Sequence, residues 1–215
     1  IYIMQYSHTN WKKYIKEEKE HFPYQIFCDM DGVLVDFVSG AVNAINEAIK
    51  NPLPHADSII YTNMINILQG SYITARDLDM SKKDEMNIKL VRKFMYKVLS
   101  NNKEFWTKLG WQPGGKDLWA YIAKYNPYIL TAPMEEASIE GKKVWITQNL
   151  KPLPEKNFFS HEKYNWAVSP TGRPNVLIDD FKINTEPWES AGGIAILHKS
   201  TEETIKSLEA IKNGR

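Results

Sequence analysis

Cysteine is almost absent from this chain: of 215 residues only Cys28 carries a thiol. No internal disulfide can form, and nothing in the composition calls for an oxidising compartment. Long apolar runs are missing too, and none approaches the ~20 residues that a membrane-spanning helix needs. The apolar start, residues 1–6, is too short for the hydrophobic core of a signal peptide. An excess of one charge is also lacking. Lys and Arg number 27 against 26 for Asp and Glu, a formal net charge of +1. That balance gives no electrostatic case for duplex nucleic acid or an anionic membrane as the main partner, while leaving room for a local basic pocket. The five histidines, His8, His21, His55, His161 and His198, show no metal-ligand spacing and read as ordinary surface or loop residues. A cysteine phosphatase would need Arg six positions after its thiol. Position 34 is Leu, which excludes that chemistry. A soluble, cytoplasmic protein is expected.

With 43% hydrophobic and 12% aromatic residues, the chain can bury one large core, or a core plus a modest appended domain. Residues 11–20, rich in Lys and Glu, predict a short solvated helix. After Pro23, residues 24–28 predict a buried strand that stops at Asp29-Met30-Asp31-Gly32. Val38, Val42, Ile45 and Ile49 then share one helical face, until Asn51-Pro52 ends it. Residues 53–109 contain no convincing strand. Their spacing is helical, as in Ile88, Val91, Met95, Val98 and Leu99, and they read as an insert. A turn at 112–115 leads to a helix carrying Leu118, Ile122 and Tyr125.

Strand and helix alternate from there. A strand over 128–130 ends at Thr131, and a helix covers about 141–150. A strand over 176–178 ends at Asp179-Asp180, another spans 194–197, and a last helix carries Ile205, Leu208 and Ile211. This pattern predicts an α/β fold, a Rossmann-like parallel sheet with helices on both faces and an inserted small helical cap. The expected organisation is an N-terminal helical extension over 1–22, an α/β core over 23–37 plus 113–215, and a cap over 38–112.

Three of these strands end in polar residues: Asp29 and Asp31, Thr131, and Asp179 with Asp180. In open α/β sheets, ligands bind just outside the carboxyl ends of the strands. Were the three strands neighbours, four carboxylates and a hydroxyl would converge and repel until a cation joined them. Carboxylate oxygens without His or Cys favour Mg²⁺. Each piece also has a plainer reading. Asp-x-Asp-Gly is a common turn, Asp179-Asp180 could cap a helix, and the aromatic residues could all be core.

The segment Asp29-Met30-Asp31-Gly32-Val33-Leu34 resembles the first motif of the haloacid dehalogenase-like hydrolases. Thr131, a lysine near Lys142 and Ile178-Asp179-Asp180 resemble the second, third and fourth motifs, in the same order. A finer match is to the 5′(3′)-deoxyribonucleotidase branch, through Asp36-Phe37, Phe105-Trp106 with Leu109, Thr131-Ala132-Pro133, and Lys142 three residues before Trp145.

The resemblance implies a Mg²⁺-dependent phosphatase that acts on a small phosphorylated metabolite, a nucleotide in the finer match. A homodimer is left open. Asp29 would be the nucleophile and Asp31 the acid–base. Thr131, Ala132 and Lys142 would bind phosphate, with Lys143 as the competitor for the last role. Asp29, Asp31 through its carbonyl, Asp179 and Asp180 would hold the metal, Asp180 being the favoured direct fourth-motif ligand. Phe37, Phe105, Trp106 and Lys163 would touch the substrate. The other readings are a sugar-phosphate phosphatase, a polynucleotide-end phosphatase and a non-catalytic phosphate binder.

Overall fold

The computed structural model describes residues 21–51, 66–67, 73–78 and 86–214. The expected helix over 11–20, much of the stretch 52–85, His8 and His55 lie outside the described residues.

Five strands form one sheet: β1 (Ile26–Cys28), β2 (Tyr128–Thr131), β3 (Asn157–Phe159), β4 (Val176–Asp179) and β5 (Ile194–Leu197). Their order is β3-β2-β1-β4-β5, and every pairing is parallel. The chain builds outward from β1 through β2 to β3, then crosses back to place β4 on the other side of β1. Such a reversal opens a crevice at the carboxyl ends of the central strands.

The described α-helices are α1 (Phe37–Lys50), α2 (Met86–Leu99), α3 (Lys103–Lys108), α4 (Gly115–Ile122), α5 (Glu136–Asn149), α6 (Lys182–Ser190) and α7 (Thr201–Lys212). Successive strand residues face opposite sides of a sheet, and the core divides accordingly. Phe27, Leu130 and Leu177 pack with Trp188 of α6 on one face. Ile26, Cys28, Ile129, Val176 and Ile178 face Ile45 of α1, Leu118 of α4, Trp145 of α5 and Leu208 of α7 on the other. A parallel sheet covered on both sides buries its central strands on both faces, which is why β1, β2 and β4 read as unbroken apolar runs. Among the described residues, no helix is long and apolar enough to cross a membrane.

Indole N–H groups buried in the core need acceptors. Trp106 donates to the Leu99 carbonyl at 3.0 Å, Trp145 to Leu109 at 2.8 Å and Trp188 to Asn175 at 3.2 Å. Two of these bonds tie α2 to α3 and α5 to the end of the insert. Gly141 lets α5 approach α3 closely, since a Cβ there would fall 2.4 Å from Trp106 Cβ and 2.7 Å from the Lys103 carbonyl. Buried Asn46 of α1 clamps the backbone of Ile73 in both directions, at 2.8 and 2.9 Å.

Several expectations need correction. The inward face of α1 is Ala41, Ile45, Ala48 and Ile49, whereas Val38 is 42% exposed because it borders a cavity. Helix α5 begins at Glu136, whose turn is fixed by a reciprocal cap between Glu135 and Ser138. Strand β3 escapes notice because Asn157 is exposed and its two phenylalanines are half-buried at the sheet edge. His198 is buried, with Nδ1 2.8 Å from the Thr204 hydroxyl, and is not a surface residue.

Candidate active site

The loop after β1 is a tight turn. The Asp29 amide donates to the Ile178 carbonyl at 2.9 Å, continuing the β1–β4 pairing past the strand end. The Met30 carbonyl then accepts from both Leu34 and Val35 at 2.8 Å. Gly32 takes φ +76, a left-handed backbone that glycine adopts without penalty. A Cβ at Gly32 would lie 2.1 Å from Asp180 Oδ2, so the turn and the loop after β4 fit only with glycine there. Asp36 caps α1 by accepting from the Ser39 amide at 3.1 Å.

Two buried lysines organise the carboxylates. Lys163 Nζ donates to Asp179 Oδ2 at 2.6 Å and lies 2.9 Å from Asp29 Oδ1. The second approach is one of charge rather than direction, for Asp29 Oδ1 has no aligned hydrogen-bond donor among the described residues. Asp179 is fully engaged, accepting also from the Phe181 amide at 2.9 Å and from Asn184 at 3.0 and 3.1 Å. Lys142 Nζ donates to Asp31 Oδ2 at 2.7 Å and to Thr131 Oγ1 and the Ala132 carbonyl at 2.8 Å. An ammonium group has three donors, and all three are used. Lys143, its neighbour, is exposed.

Crowding shows in the proton affinities. Burial, then repulsion from Asp29, pushes the Asp179 carboxyl up to about 6. Burial, then Asp29 and Asp179, pushes Asp180 up to about 7, although Asp180 is exposed by area and water softens that rise. Burial also raises Asp31 against the pull of Lys142. Burial works against the charge on Lys163, but Asp29 and Asp179 outweigh it and hold the ammonium above an ordinary lysine. The Cys28 thiol is driven well up by burial and by Asp29, which leaves it unreactive, as its place before the turn suggested.

Asp29, Asp179 and Asp180 each offer a carboxylate oxygen within 4.8 Å of the others, a spacing that could hold a metal ion. Asp180 has no hydrogen-bonding side-chain partner among the described residues, unlike Asp179. Above the cluster opens a cavity of about 340 Å³. Asp29, Asp31, Gly32, Ala132, Lys163 and Asp180 form its polar end. Phe37, Val38, Leu78, Met95, Met134 and Phe181 make most of the rest.

No family model matches the chain, and no curated protein matches it. Solved structures similar to it include a hydrolase from Streptococcus pneumoniae, 13% identical, with a TM-score of 0.47 over 86% of this chain and 98% of that one. A haloacid dehalogenase-like family hydrolase from the same species is 17% identical, with a TM-score of 0.45 over 85% and 90%. An enzyme of that family from Bacteroides thetaiotaomicron, in complex with magnesium and inorganic phosphate, is 17% identical, with a TM-score of 0.43 over 82% and 94%. The two streptococcal neighbours are hydrolases. Likenesses this distant carry no argument about activity, which rests on the geometry.

Measured against the expected site, the geometry divides the residues. Asp29, Asp31, Ala132, Lys163, Asp180 and Phe37 meet in one cavity, with Asp179 buried beneath. Thr131 and Lys142 form a buried layer under Asp31, and neither lines the cavity. The lysine beside the proposed nucleophile is Lys163, not Lys142. Trp106 is 2% exposed, stacked on Phe37 at 5.6 Å and 16°, with the Lys142 ammonium 5.2 Å from its ring. Phe105 borders a different cleft, with Asn102 and Lys108. Neither aromatic presents a face to the cavity. Asn184, Met134 and Phe181 went unremarked in the sequence, although all three sit within a few residues of a motif.

Proposed function

We propose that this chain is a Mg²⁺-dependent phosphatase for small phosphomonoesters. The observation that carries this reading is the pairing of Asp29 with Asp31 at the end of the central strand. Asp29 stands beside buried Lys163 and Asp31 is held by Lys142, both facing one cavity. A metal fits the residues present. Four carboxylates meet two ammonium groups, Asp179 and Asp180 resist ionisation, and Asp29 keeps an oxygen without an aligned donor. Asp29, Asp180 and Asp179 would hold it, Asp180 directly because no side chain among the described residues donates to its oxygens. When bound, Mg²⁺ supplies positive charge to the phosphoryl oxygens.

The residues would then act in two steps. Asp29 attacks phosphorus, the P–O bond to the leaving group breaks, and Asp31 gives its proton to the departing oxygen. Water next attacks the aspartyl-phosphate and yields a proton to Asp31, freeing Asp29 and inorganic phosphate. Raised proton affinity suits Asp31 to the first step, and Lys142 fixes its direction. Lys163 neutralises charge at the nucleophile; the motif order had suggested phosphate binding for Lys142 and substrate contact for Lys163.

For the leaving group, we favour a nucleoside. Phe37 lines the cavity, and an aromatic face can stack on a base for about 1–3 kcal/mol. The apolar wall disfavours a bare sugar, which would need hydrogen-bonding groups. Phosphate release over a panel of esters, with and without Mg²⁺, tests this. Metal-dependent release is expected, faster on nucleotides than on sugar phosphates. No release from any ester would overturn the phosphatase reading, and a preference for sugar phosphates would overturn the nucleotide one.

A further inference from the structure

One cation in the cavity has no task in the chemistry above. Arg92, on the second helix, lines the same space as Asp29, Asp31 and Lys163, among Val38, Leu78 and Met95. Lys163 is committed to Asp29 and Asp179. Arg92 is half-buried and makes no hydrogen bond or ion pair among the described residues. A guanidinium carries five donors in a fixed fork, and none of them is met among the described residues.

Arg92 and Met95 also line a second hollow of about 370 Å³, together with Lys89, Lys93 and Tyr96. The two spaces therefore adjoin. Positions 89, 92, 93 and 96 are three, four and seven residues apart, so a single helical face presents three basic side chains. Among the described residues, no carboxylate lines this hollow. The nearby Glu135 is occupied, accepting from the Tyr96 hydroxyl and capping α5. In a chain of net charge +1, these basic side chains gather beside the cavity that Arg92 shares with Asp29, Asp31 and Asp180.

Resting on the phosphatase reading, we infer that Arg92 is a specificity-determining residue that receives a second anionic group on the leaving group. A planar oxyanion, either carboxylate or further phosphate, matches the guanidinium fork and is drawn to the basic face. A plain nucleoside has no such group. A nucleotide substrate would therefore carry another phosphate on its nucleoside.

Binding of inert phosphonates separates this inference from the chemistry. Dissociation constants for phenylphosphonate, 4-carboxyphenylphosphonate and 1,4-phenylenebisphosphonate are measured by calorimetry with Mg²⁺ on wild-type protein, Arg92→Gln and Arg92→Lys. Wild-type protein is expected to bind one or both doubly anionic compounds about tenfold more tightly than phenylphosphonate. Which of the two gains more identifies the anion. That ratio should collapse to about one in Arg92→Gln and recover in part in Arg92→Lys. Equal affinities in wild-type protein, or a ratio that survives in Arg92→Gln, would overturn the inference. Phosphate release from phenyl phosphate is a separate measurement, and its absence would count against the phosphatase reading instead.

Discussion

The strand ends and the helical stretch that follows them are built by different means. At the strand ends, position is fixed by buried charge and backbone: Lys163 between Asp29 and Asp179, Lys142 with all donors spent, and Gly32 packed on Asp180. Across α1, α2 and α3, position is fixed by apolar packing, with Asn46 and Trp106 as the polar clamps. The first kind of construction tolerates almost no substitution and suits chemistry shared by many substrates. The second can be repacked at modest cost and suits the side that meets the leaving group.

Four changes would break or sharpen that contrast. Asp29→Asn should cut phosphate release by about four orders of magnitude or more, since an amide cannot serve as the nucleophile. Unchanged far-UV circular dichroism would show the fold intact, and near-normal turnover would end the proposed mechanism. Lys163→Met strands two buried carboxylates, a defect that typically costs about 3–5 kcal/mol. Chemical denaturation should read that loss at pH 8. It should read less at pH 5, where Asp179 takes up a proton. Equal losses at both pH values would contradict the paired-charge account.

On the other side, Phe37→Ala should slow turnover of an aromatic ester roughly tenfold, the factor that about 1.4 kcal/mol implies. Acetyl phosphate should lose much less. Smallest is a proton effect. Asp179 and Asp180 hold protons to about pH 6 and 7 when folded but release them near 4 when unfolded. The folded chain thus binds more protons in that window, and its contribution to stability falls as pH rises from about 4 to 7. Buried His198, whose affinity is lowered, pulls the opposite way. The difference between wild-type protein and Asp180→Asn isolates the carboxylate. In EDTA, the melting temperature of wild-type protein relative to this variant should drop between pH 5 and pH 8, and Mg²⁺ should restore it at pH 8. A constant difference would dismiss the cluster as a linked site.

The same division sets what could be read from the residues alone. β1, β2, β4 and β5 announce themselves because a doubly covered sheet demands continuous apolar runs, and the first three end in the polar residues of the site. Asp29, Asp31, Asp179 and Asp180 follow from strand ends meeting. The lysines do not. Lys142 and Lys163 both lie near the right strands, and only the three-dimensional path decides that one buttresses Asp31 while the other reaches Asp29. Helical period located α2 but could not tell which side of it faced the cavity, so Arg92 passed unnoticed among exposed basic residues. Phe105 and Trp106 mislead for a related reason, because an aromatic pair looks the same in a wall as behind one.

Stacking of Phe37 on Trp106, with Lys142 over that indole and Asp31 at the end of the lysine, has a mechanical reading. Three contacts in series join the ring that a leaving group would touch to the carboxyl that would protonate it. Pressure on the wall would pass along these contacts to the proton donor, much as a lever carries load past its fulcrum. A poorly fitting leaving group would find the acid displaced as well as the pocket unfilled, so selectivity would register in kcat along with KM.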